Sequence, residues 1–284
     1  MSTLHRIDLG LPALLEFRGP DAVRFLNGQL TQDVRRIAGG NLALPSCVTD
    51  AKGRLQFRVW ISESTDGAIR VEGPADSAEA LEARLTRYLI ADDVEVSDHT
   101  GEWSLAHFTG IIPDAPQGVV SYQSERFGLP GTDWWIPAGA EIAFPENIPL
   151  LEGDALESFR IARGIPLWGI DLTEGLLPPE AGLETTDISY QKGCYIGQEV
   201  ISRIKSAGKV NKYLTRLAFD AAVPVDGATL TDAEGKAAGA LTSISPEIEN
   251  GMRRALAYVK RGVSEIHLVT SDGIHHPVAL DAGS

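Results

Sequence analysis

The strongest constraint on the fold lies in the last third of the chain, where short apolar segments alternate with glycine-containing turns. The alternation from Tyr213 to Phe219 has the period of two that is typical of a β-strand with one buried face. Further short apolar segments recur near Leu241 and at 255–259, 266–269 and 278–280. Short strands at this spacing predict a small β-barrel or sandwich.

The first part of the chain mixes strand and helix patterns. Apolar and polar residues alternate over 55–61, and Ile69 with Val71 suggest a hairpin partner across the Asp66-Gly67 turn. Helical spacing is found in three places, at 22–30 after Asp21, at 78–88 after Pro74, and from about Leu151 to Arg163. The combination predicts an α+β fold.

The net charge of the chain indicates which classes of partner it can bind. The chain carries a formal net charge of −14 and would be repelled by phosphate backbones, so direct broad nucleic-acid binding is not expected. One segment differs, because 192–216 holds six basic residues against the single acidic Glu199, a net charge of +5. The basic residues are Lys192, Arg203, Lys205, Lys209, Lys212 and Arg216. This segment is either attractive to an anionic ligand or simply a solvated basic face.

The chain is 284 residues long and has only two cysteines, Cys47 and Cys194, which argues against a disulfide framework. It has no apolar run of the roughly 20 residues that a membrane span requires, and the N-terminus lacks the pattern of a targeting leader. A cytoplasmic protein with no membrane partner is therefore expected. Common catalytic and phosphate-binding motifs are absent. Ser202-x-x-Lys205 is interpreted as a chance match, and His275-His276 as a surface turn, so no metal site is predicted.

The stretch from Gly164 to Gln191 has no sustained period of either kind, and irregular connections of this length are often functional. It leads into Lys192-Gly-Cys-Tyr-Ile-Gly-Gln-Glu199, in which glycines flank a Cys-Tyr pair. A thiol near Lys192 and near a helix that starts at Gln198 would be reactive. The alternative is that Cys194 is a small buried apolar residue, and the residues alone leave both open. Cys47, in an apolar stretch, is assigned to the core.

These residues resemble the YgfZ family of folate-binding proteins, which includes mitochondrial iron–sulfur assembly factors and is related to the glycine-cleavage aminomethyltransferase. The resemblance is carried by the Lys192–Glu199 segment with Arg203 after it, and by four companion segments. These are Phe25–Val34, Asp50–Leu55, Arg160–Pro166 and Pro179–Leu183.

The resemblance implies an α+β, aminomethyltransferase-like ring of three domains around a central channel, with a C-terminal β-barrel. The implied domains are 1–48 with 150–210, then 49–149, then 211–284. Tetrahydrofolate or a one-carbon derivative would bind, and the role would be to support iron–sulfur enzymes or assembly proteins, including enzymes that thiolate tRNA. Cys194 would be the functional thiol. The implied folate-binding residues are Lys192, Gly193, Tyr195, Gly197, Gln198, Glu199, Arg203 and Arg160.

One departure from the aminomethyltransferase pattern concerns the stretch Gly53–Arg58. That enzyme carries adjacent aspartates here, one of which assists attack by the folate N5, whereas this chain has Gln56 and Phe57. Loss of such a group lowers a rate by roughly 10²–10⁴-fold, so aminomethyltransferase activity is not expected. The alternative function is a folate-dependent one-carbon transferase or demethylase.

Overall fold

The computed structural model describes residues 4–112, 114–208 and 210–281, so Lys209 of the basic segment lies outside the described residues. The chain divides into two compact units. The first contains Met1–Leu151 and Glu184–Ser202, and the second contains Glu152–Leu183 and Arg203–Ser284. Within the described ranges, no helix combines the length and the apolar character needed to span a membrane.

The first unit contains two antiparallel sheets. Its elements, in chain order, are β1 (Arg6–Gly10), β2 (Ala13–Arg18), α1 (Ala22–Gln29), β3 (Ala43–Thr49), β4 (Leu55–Glu63), β5 (Ile69–Gly73), α2 (Ala78–Thr86), β6 (Glu95–Asp98), β7 (Trp103–Phe108), β8 (Val120–Ser124) and β9 (Gly131–Pro137). One sheet has the order β3-β4-β5-β2-β6, and the other has the order β1-β7-β9-β8.

Local patterns correctly predicted several of these elements. The hairpin across Asp66-Gly67 is confirmed, since β4 pairs with β5 from Trp60–Glu72 to Glu63–Ile69. Helix α1 follows Asp21 as predicted and buries Phe25 and Leu26 against the β4 side chains of the larger core. The side chain of Asp21 does not cap α1, because its carboxylate accepts the backbone N–H of Asp93 instead. The helix is therefore held by burial of its apolar face rather than by its first residue.

Besides two short 3₁₀ helices, Val34–Ile37 and Pro178–Ala181, the remaining elements of the described residues are two α-helices and six strands. In chain order they are α3 (Gly153–Ala162), α4 (Gln198–Ala207), β10 (Lys212–Asp220), β11 (Thr229–Thr231), β12 (Ala237–Glu249), β13 (Met252–Lys260), β14 (Ile266–Val269) and β15 (His275–Leu280). The six strands close into a barrel in the order β10-β13-β12-β11-β14-β15, around a core that includes Leu217 and Phe219. The predicted C-terminal barrel is thus confirmed.

One expectation about this region was wrong. His275 and His276 do not form a surface turn but begin β15, where they pair with Val269 and Leu268 of β14. The turn lies just before them, at Gly273, whose φ of +82° suits a residue without a side chain. No group of three potential ligands among His, Cys, Asp and Glu is arranged to hold a metal ion within the described part of the chain.

Candidate functional site

Three of the segments that carry the family resemblance meet in the first unit. The backbone N–H of Ile196 donates to the carbonyl oxygen of Gly28 in α1, at 3.2 Å. The hydroxyl of Thr49, at the end of β3, donates to the carbonyl oxygen of Ile196 at 2.6 Å. The Cys194-containing segment is therefore fixed to α1 on one side and to the turn after β3 on the other.

The main chain of the segment and the main chain of the turn after β3 also approach each other closely, at Gly197 and Gly53. Gly197 has a φ of +88°, and a Cβ atom built on it would lie 2.5 Å from the carbonyl oxygen of Asp50 and 2.9 Å from the Cα of Gly53. Gly53 also has positive φ, at +71°, and a Cβ there would lie 3.3 Å from the carbonyl oxygen of Gly197. Both glycines are needed because no side chain fits between these two main chains.

Lys192 anchors the N-terminal end of the segment to the end of α1. Its side chain is buried, and its Nζ donates to the carbonyl oxygens of Asn27 at 2.8 Å, Leu30 at 2.6 Å and Gln32 at 2.8 Å. These carbonyls lie at and beyond the C-terminal end of α1, where a helix has unpaired acceptors and favours positive charge. Burial lowers the pKa of Lys192 to about 7, although the nearby Asp33 acts in the opposite direction. All three ammonium hydrogens are engaged, and a direct ligand role for Lys192 stays a prediction.

Tyr195 is the buried aromatic residue of the segment. Its ring packs with Ile188 and Ile201, and the Nζ of Lys192 lies 5.2 Å from the ring centroid. Its hydroxyl has no hydrogen-bond partner among the described residues. Burial raises the pKa of this phenol well above its usual value. The ring of Tyr195 is therefore tightly packed, and its hydroxyl group makes no hydrogen bond within the described residues.

The two cysteines have opposite environments. Cys194 is exposed, on a turn in which a Cβ at the preceding Gly193 would meet nothing within 4 Å. Cys47 is fully buried in β3, and burial raises the pKa of its thiol well above the usual value. The assignment of Cys47 to the core is confirmed, and the alternative that Cys194 is a buried packing residue is wrong.

We expect Cys194 to react with iodoacetamide at least 100-fold faster than Cys47 in the native protein, because only an exposed thiolate is a competent nucleophile. Mass spectrometry of the modified peptides would give both rates. In 8 M urea both thiols are exposed, and their rates should become similar. Comparable native rates for the two thiols would contradict the burial difference.

The first turn of α4 carries the polar end of the segment. Gln198 and Gly197 are half-buried, and Glu199 is exposed in the first turn, where an acidic side chain is favourable. The predicted start of a helix at Gln198 is confirmed. Arg203 is exposed further along the same helix. Side chains of this helix are accessible to a ligand, while their assignment to folate stays a prediction.

Arg160 lies in the second unit, at the end of α3. Its guanidinium donates to the carboxylate of Asp171 at 2.8 Å, the hydroxyl of Ser243 at 2.8 Å and the carbonyl oxygen of Ile165 at 3.1 Å. Glu157, one turn earlier in α3, accepts its remaining donors. All five N–H groups of Arg160 are thus engaged in tying α3 and the irregular stretch to the barrel. A ligand role for it is untested.

The basic segment does not form one solvated face. Lys192 is buried, Arg216 donates to the carbonyl oxygen of Ala162 at 3.0 Å, and the Nζ of Lys212 lies 4.4 Å from the ring centroid of Tyr258. Two of its described members, Arg203 and Lys205, are exposed. The positive charge that the sequence concentrates here is therefore partly used for internal packing.

One buried ion pair in the first unit was missed by sequence reasoning. The Nε of Arg58, on β4, donates to the carboxylate of Asp187 at 2.7 Å, and the Asp187 side chain is fully buried. The hydroxyl of Thr31 donates to the Asp187 carbonyl oxygen at 2.6 Å. This pair holds the end of the irregular stretch against β3 and β4. Arg58 belongs to the alternating strand pattern at 55–61, but nothing local to either residue indicates its partner, so only the fold reveals the pair.

Where the aminomethyltransferase pattern has aspartates, this chain has Gln56, whose side chain belongs to a hydrogen-bonded network around Arg84. The Gln56 amide oxygen accepts the Nε of Arg84, and the same guanidinium donates to Gln29 at 3.0 Å and to the carbonyl oxygen of Thr49 at 2.6 Å. Desolvation lowers the pKa of Arg84. The carboxamide of Gln56 thus serves to hold Arg84 and supplies no base.

Comparison with known proteins defines first the class of the fold. The structure of the glycine cleavage system aminomethyltransferase T from Bartonella henselae superposes with a TM-score of 0.78 over 99% of this chain and 85% of that chain, at 19% identity. The fold is therefore aminomethyltransferase-like, an α+β architecture with a closed six-stranded barrel. The ring arrangement and the three domain ranges remain predictions.

The sequence comparisons then identify relatives of the chain. The chain is 28% identical over 218 residues to the tRNA-modifying protein YgfZ of Serratia proteamaculans, a match that covers 69% of this chain and 65% of that protein. It is 27% identical to the human mitochondrial iron–sulfur cluster assembly factor IBA57, over 95% of this chain and 81% of that protein. No family model matches. These relatives confirm the resemblance: the chain is similar to both YgfZ and IBA57 proteins.

Proposed function

We propose that this protein binds tetrahydrofolate or one of its one-carbon derivatives and supports iron–sulfur cluster assembly or maintenance in client enzymes, with Cys194 as its functional thiol. The observation that carries the proposal is the exposed Cys194 on a turn whose backbone is hydrogen-bonded on both sides, to Gly28 and to Thr49. An exposed side chain contributes little to stability, so such firm anchoring favours a role in chemistry or binding.

The relatives support the iron–sulfur part of the proposal. One is named a tRNA-modifying protein and another an iron–sulfur cluster assembly factor. Many enzymes that thiolate tRNA bases depend on iron–sulfur clusters, which reconciles the two names in one role. The partners we propose are iron–sulfur enzymes or assembly proteins.

The thiol is tested by Cys194→Ala. Because Cys194 is exposed, the change should alter the free energy of unfolding by less than about 0.5 kcal/mol. It should nevertheless fail to restore iron–sulfur enzyme activity in cells that lack the native protein. The matched control is Cys47→Ala, which removes a buried thiol, costs stability and should still complement at permissive temperature. Full complementation by the folded Cys194→Ala protein would refute the functional thiol.

Folate binding is tested by isothermal titration calorimetry with tetrahydrofolate and its stable 5-formyl derivative. Binding should weaken as salt rises, because the ligand is anionic and part of the attraction is electrostatic. Absence of heat at millimolar ligand and low salt would refute this part of the proposal. The same samples should be assayed for turnover.

The alternative is a folate-dependent one-carbon transferase or demethylase. The network of Gln56 and Arg84 argues against it, since the strand offers no carboxylate where the resemblance places the catalytic aspartates. Ammonia release from an aminomethyl-lipoyl carrier, at the rate of a true aminomethyltransferase, would favour this alternative over the accessory role.

A further inference from the structure

A cavity of about 440 Å³ lies in the first unit, on the face of the sheet β1-β7-β9-β8 that also buries Phe108 and Trp134. Its volume falls within the range of about 300–1,000 Å³ that is typical of small-molecule sites. The lining comes from β1, β7, β9 and the segment 140–144. These residues do not belong to the Cys194-containing segment, so the cavity is separate from the candidate site described above.

The cavity exists because one part of this sheet face carries short side chains. Alternate residues of a strand share a face, so Ser104, Ala106 and Phe108 of β7 point to the same side. Phe108 fills the core there, and Ile142 and Phe144 of the segment 140–144 pack against the same core. The short side chains of Ser104 and Ala106 leave a recess beneath this segment.

The interior of the cavity is mainly apolar. Ala106 and Ile136, which belong to the sheet, are buried, whereas Ile142 and Phe144 on the covering segment are only half-buried. The ring of Phe144 stacks with Trp134, with 6.2 Å between centroids and 15° between planes, and this contact holds the orientation of Phe144. An apolar group that displaces water from this surface would gain free energy.

The charged residues in the lining, Asp8 and Glu141, are both acidic and both exposed. Arg6 pairs with Asp8 at 3.1 Å, and its guanidinium lies 3.8 Å from the ring centroid of Phe144. The face of this ring therefore already holds one cation, as the charge distribution of an aromatic ring favours. Glu141 adds negative charge on the solvent side of the cavity. A cleft lined by charges of one sign concentrates ligands of the opposite sign.

We infer that this cavity binds a small organic cation, with an apolar ring in the recess beside Ala106 and a protonated amine next to Glu141. The inference does not depend on the proposed folate binding, because folate is an anion and the two sites share no residue. The sequence analysis did not predict the cavity, since Ser104 and Ala106 are ordinary strand residues that belong to no motif.

The experiment titrates the wild-type protein with tryptamine and follows the backbone amide chemical shifts by NMR. The largest shift changes should occur at Gly10, Ala106 and Glu141. Indole-3-propionate carries the same ring with a negative charge, and it should bind at least about 5-fold more weakly. Ethylamine carries the positive charge without the ring, and it should bind at least about 10-fold more weakly because it buries little apolar surface.

Two substitutions locate the site. Ser104→Leu should fill the recess and weaken tryptamine binding at least about 10-fold, since the larger side chain occupies the space of the ring. Its matched control is Ser121→Leu, which is also half-buried, lies on β8 of the same sheet and does not line the cavity. Ser121→Leu should bind tryptamine as the wild type does. Thermal melting followed by circular dichroism would confirm that both variants are folded.

The second substitution, Glu141→Gln, tests the charge at an exposed position where folding is not at risk. It should weaken tryptamine binding about 2- to 5-fold, as expected for loss of one exposed ion pair. The matched control is Glu146→Gln, which removes a nearby exposed acid that does not line the cavity and should leave the affinity unchanged.

Each contrary result overturns a defined part of the inference. Wild-type affinity for tryptamine in folded Ser104→Leu would refute the location, and wild-type affinity in Glu141→Gln would refute the placement of the amine. Equal binding of tryptamine and indole-3-propionate would refute the preference for a cation. Absence of shift changes at millimolar tryptamine would refute the site itself. Folate binding is measured separately by calorimetry, and none of these results would alter it.

Discussion

Replacing Gly197 with alanine is expected to lower the free energy of unfolding by about 2–5 kcal/mol. Positive φ costs a residue with a Cβ about 1–2 kcal/mol, and overpacking adds about 1–3 kcal/mol. Both apply here, because the new Cβ would lie 2.5 Å from the carbonyl oxygen of Asp50 at a φ of +88°. The close atoms belong to the backbone, so the conflict cannot be relieved by a rotamer change. Urea denaturation would measure the loss.

The matched control for Gly197→Ala is Gly193→Ala, four residues earlier in the same segment. A Cβ at Gly193 meets nothing within 4 Å, and its φ is not in the left-handed region. Its substitution should change stability by less than about 1 kcal/mol, with a small gain possible through the unfolded chain. Equal stability of the two variants would show that the backbone contact with Gly53 is not required.

Replacing Lys192 with methionine should lower the free energy of unfolding by about 2–4 kcal/mol at pH 6. Methionine has a similar length but no donors, so three buried carbonyl oxygens at the end of α1 lose their partner. The exposed Lys236, which pairs with Glu234 on the surface, provides the control. Lys236→Met should change stability by less than about 1 kcal/mol. A Lys192→Met protein as stable as the wild type would contradict the anchoring role.

The Lys192 anchor also predicts a pH dependence. Burial lowers its pKa to about 7 in the folded protein, against an ordinary value of 10.5. Between pH 7 and pH 10.5, Lys192 is largely protonated in the unfolded chain and largely neutral in the folded protein. The contribution of Lys192 to the free energy of unfolding therefore increases with pH over this range. The wild-type advantage over Lys192→Met should therefore be larger at pH 9 than at pH 6, by up to about 1.4 kcal/mol per pH unit. A constant or shrinking difference would contradict the lowered pKa.

The elements set by local pattern could be predicted from the sequence. The β4–β5 hairpin and the helices α1, α2 and α3 follow from periodicity and turn residues over fewer than about 20 residues. Strand β10 is predicted by its alternation, and β12 to β15 by short apolar segments, whereas β11 (Thr229–Thr231) has no such signal. The prediction of a surface turn at His275 and His276 was wrong. A pair of polar residues close to Gly273 resembles a turn in the sequence, but in the structure both residues pair with β14 and therefore belong to β15.

The site was predictable only in part. The Cys194-containing segment is recognisable as a motif, and its exposure agrees with the glycines around it. The engagement of Lys192 could not be predicted, because its three acceptors are main-chain carbonyls 160 to 165 residues earlier in the chain, and a carbonyl leaves no trace in a sequence. The same holds for the hydroxyl of Tyr195, since its lack of a partner within the described residues is a property of the packed interior.

The discontinuous first unit has a consequence for biosynthesis. Its two sheets are complete by residue 151, but its last piece, Glu184–Ser202, is translated only after the 32 residues of Glu152–Leu183. A ribosome-bound chain that ends before Lys192 therefore exposes the carbonyl oxygens of Asn27, Leu30 and Gln32 without their cation. Contacts of such long sequence separation form late. The turn that carries Cys194 is thus assembled among the last steps of folding, when most of the surrounding sheet already exists.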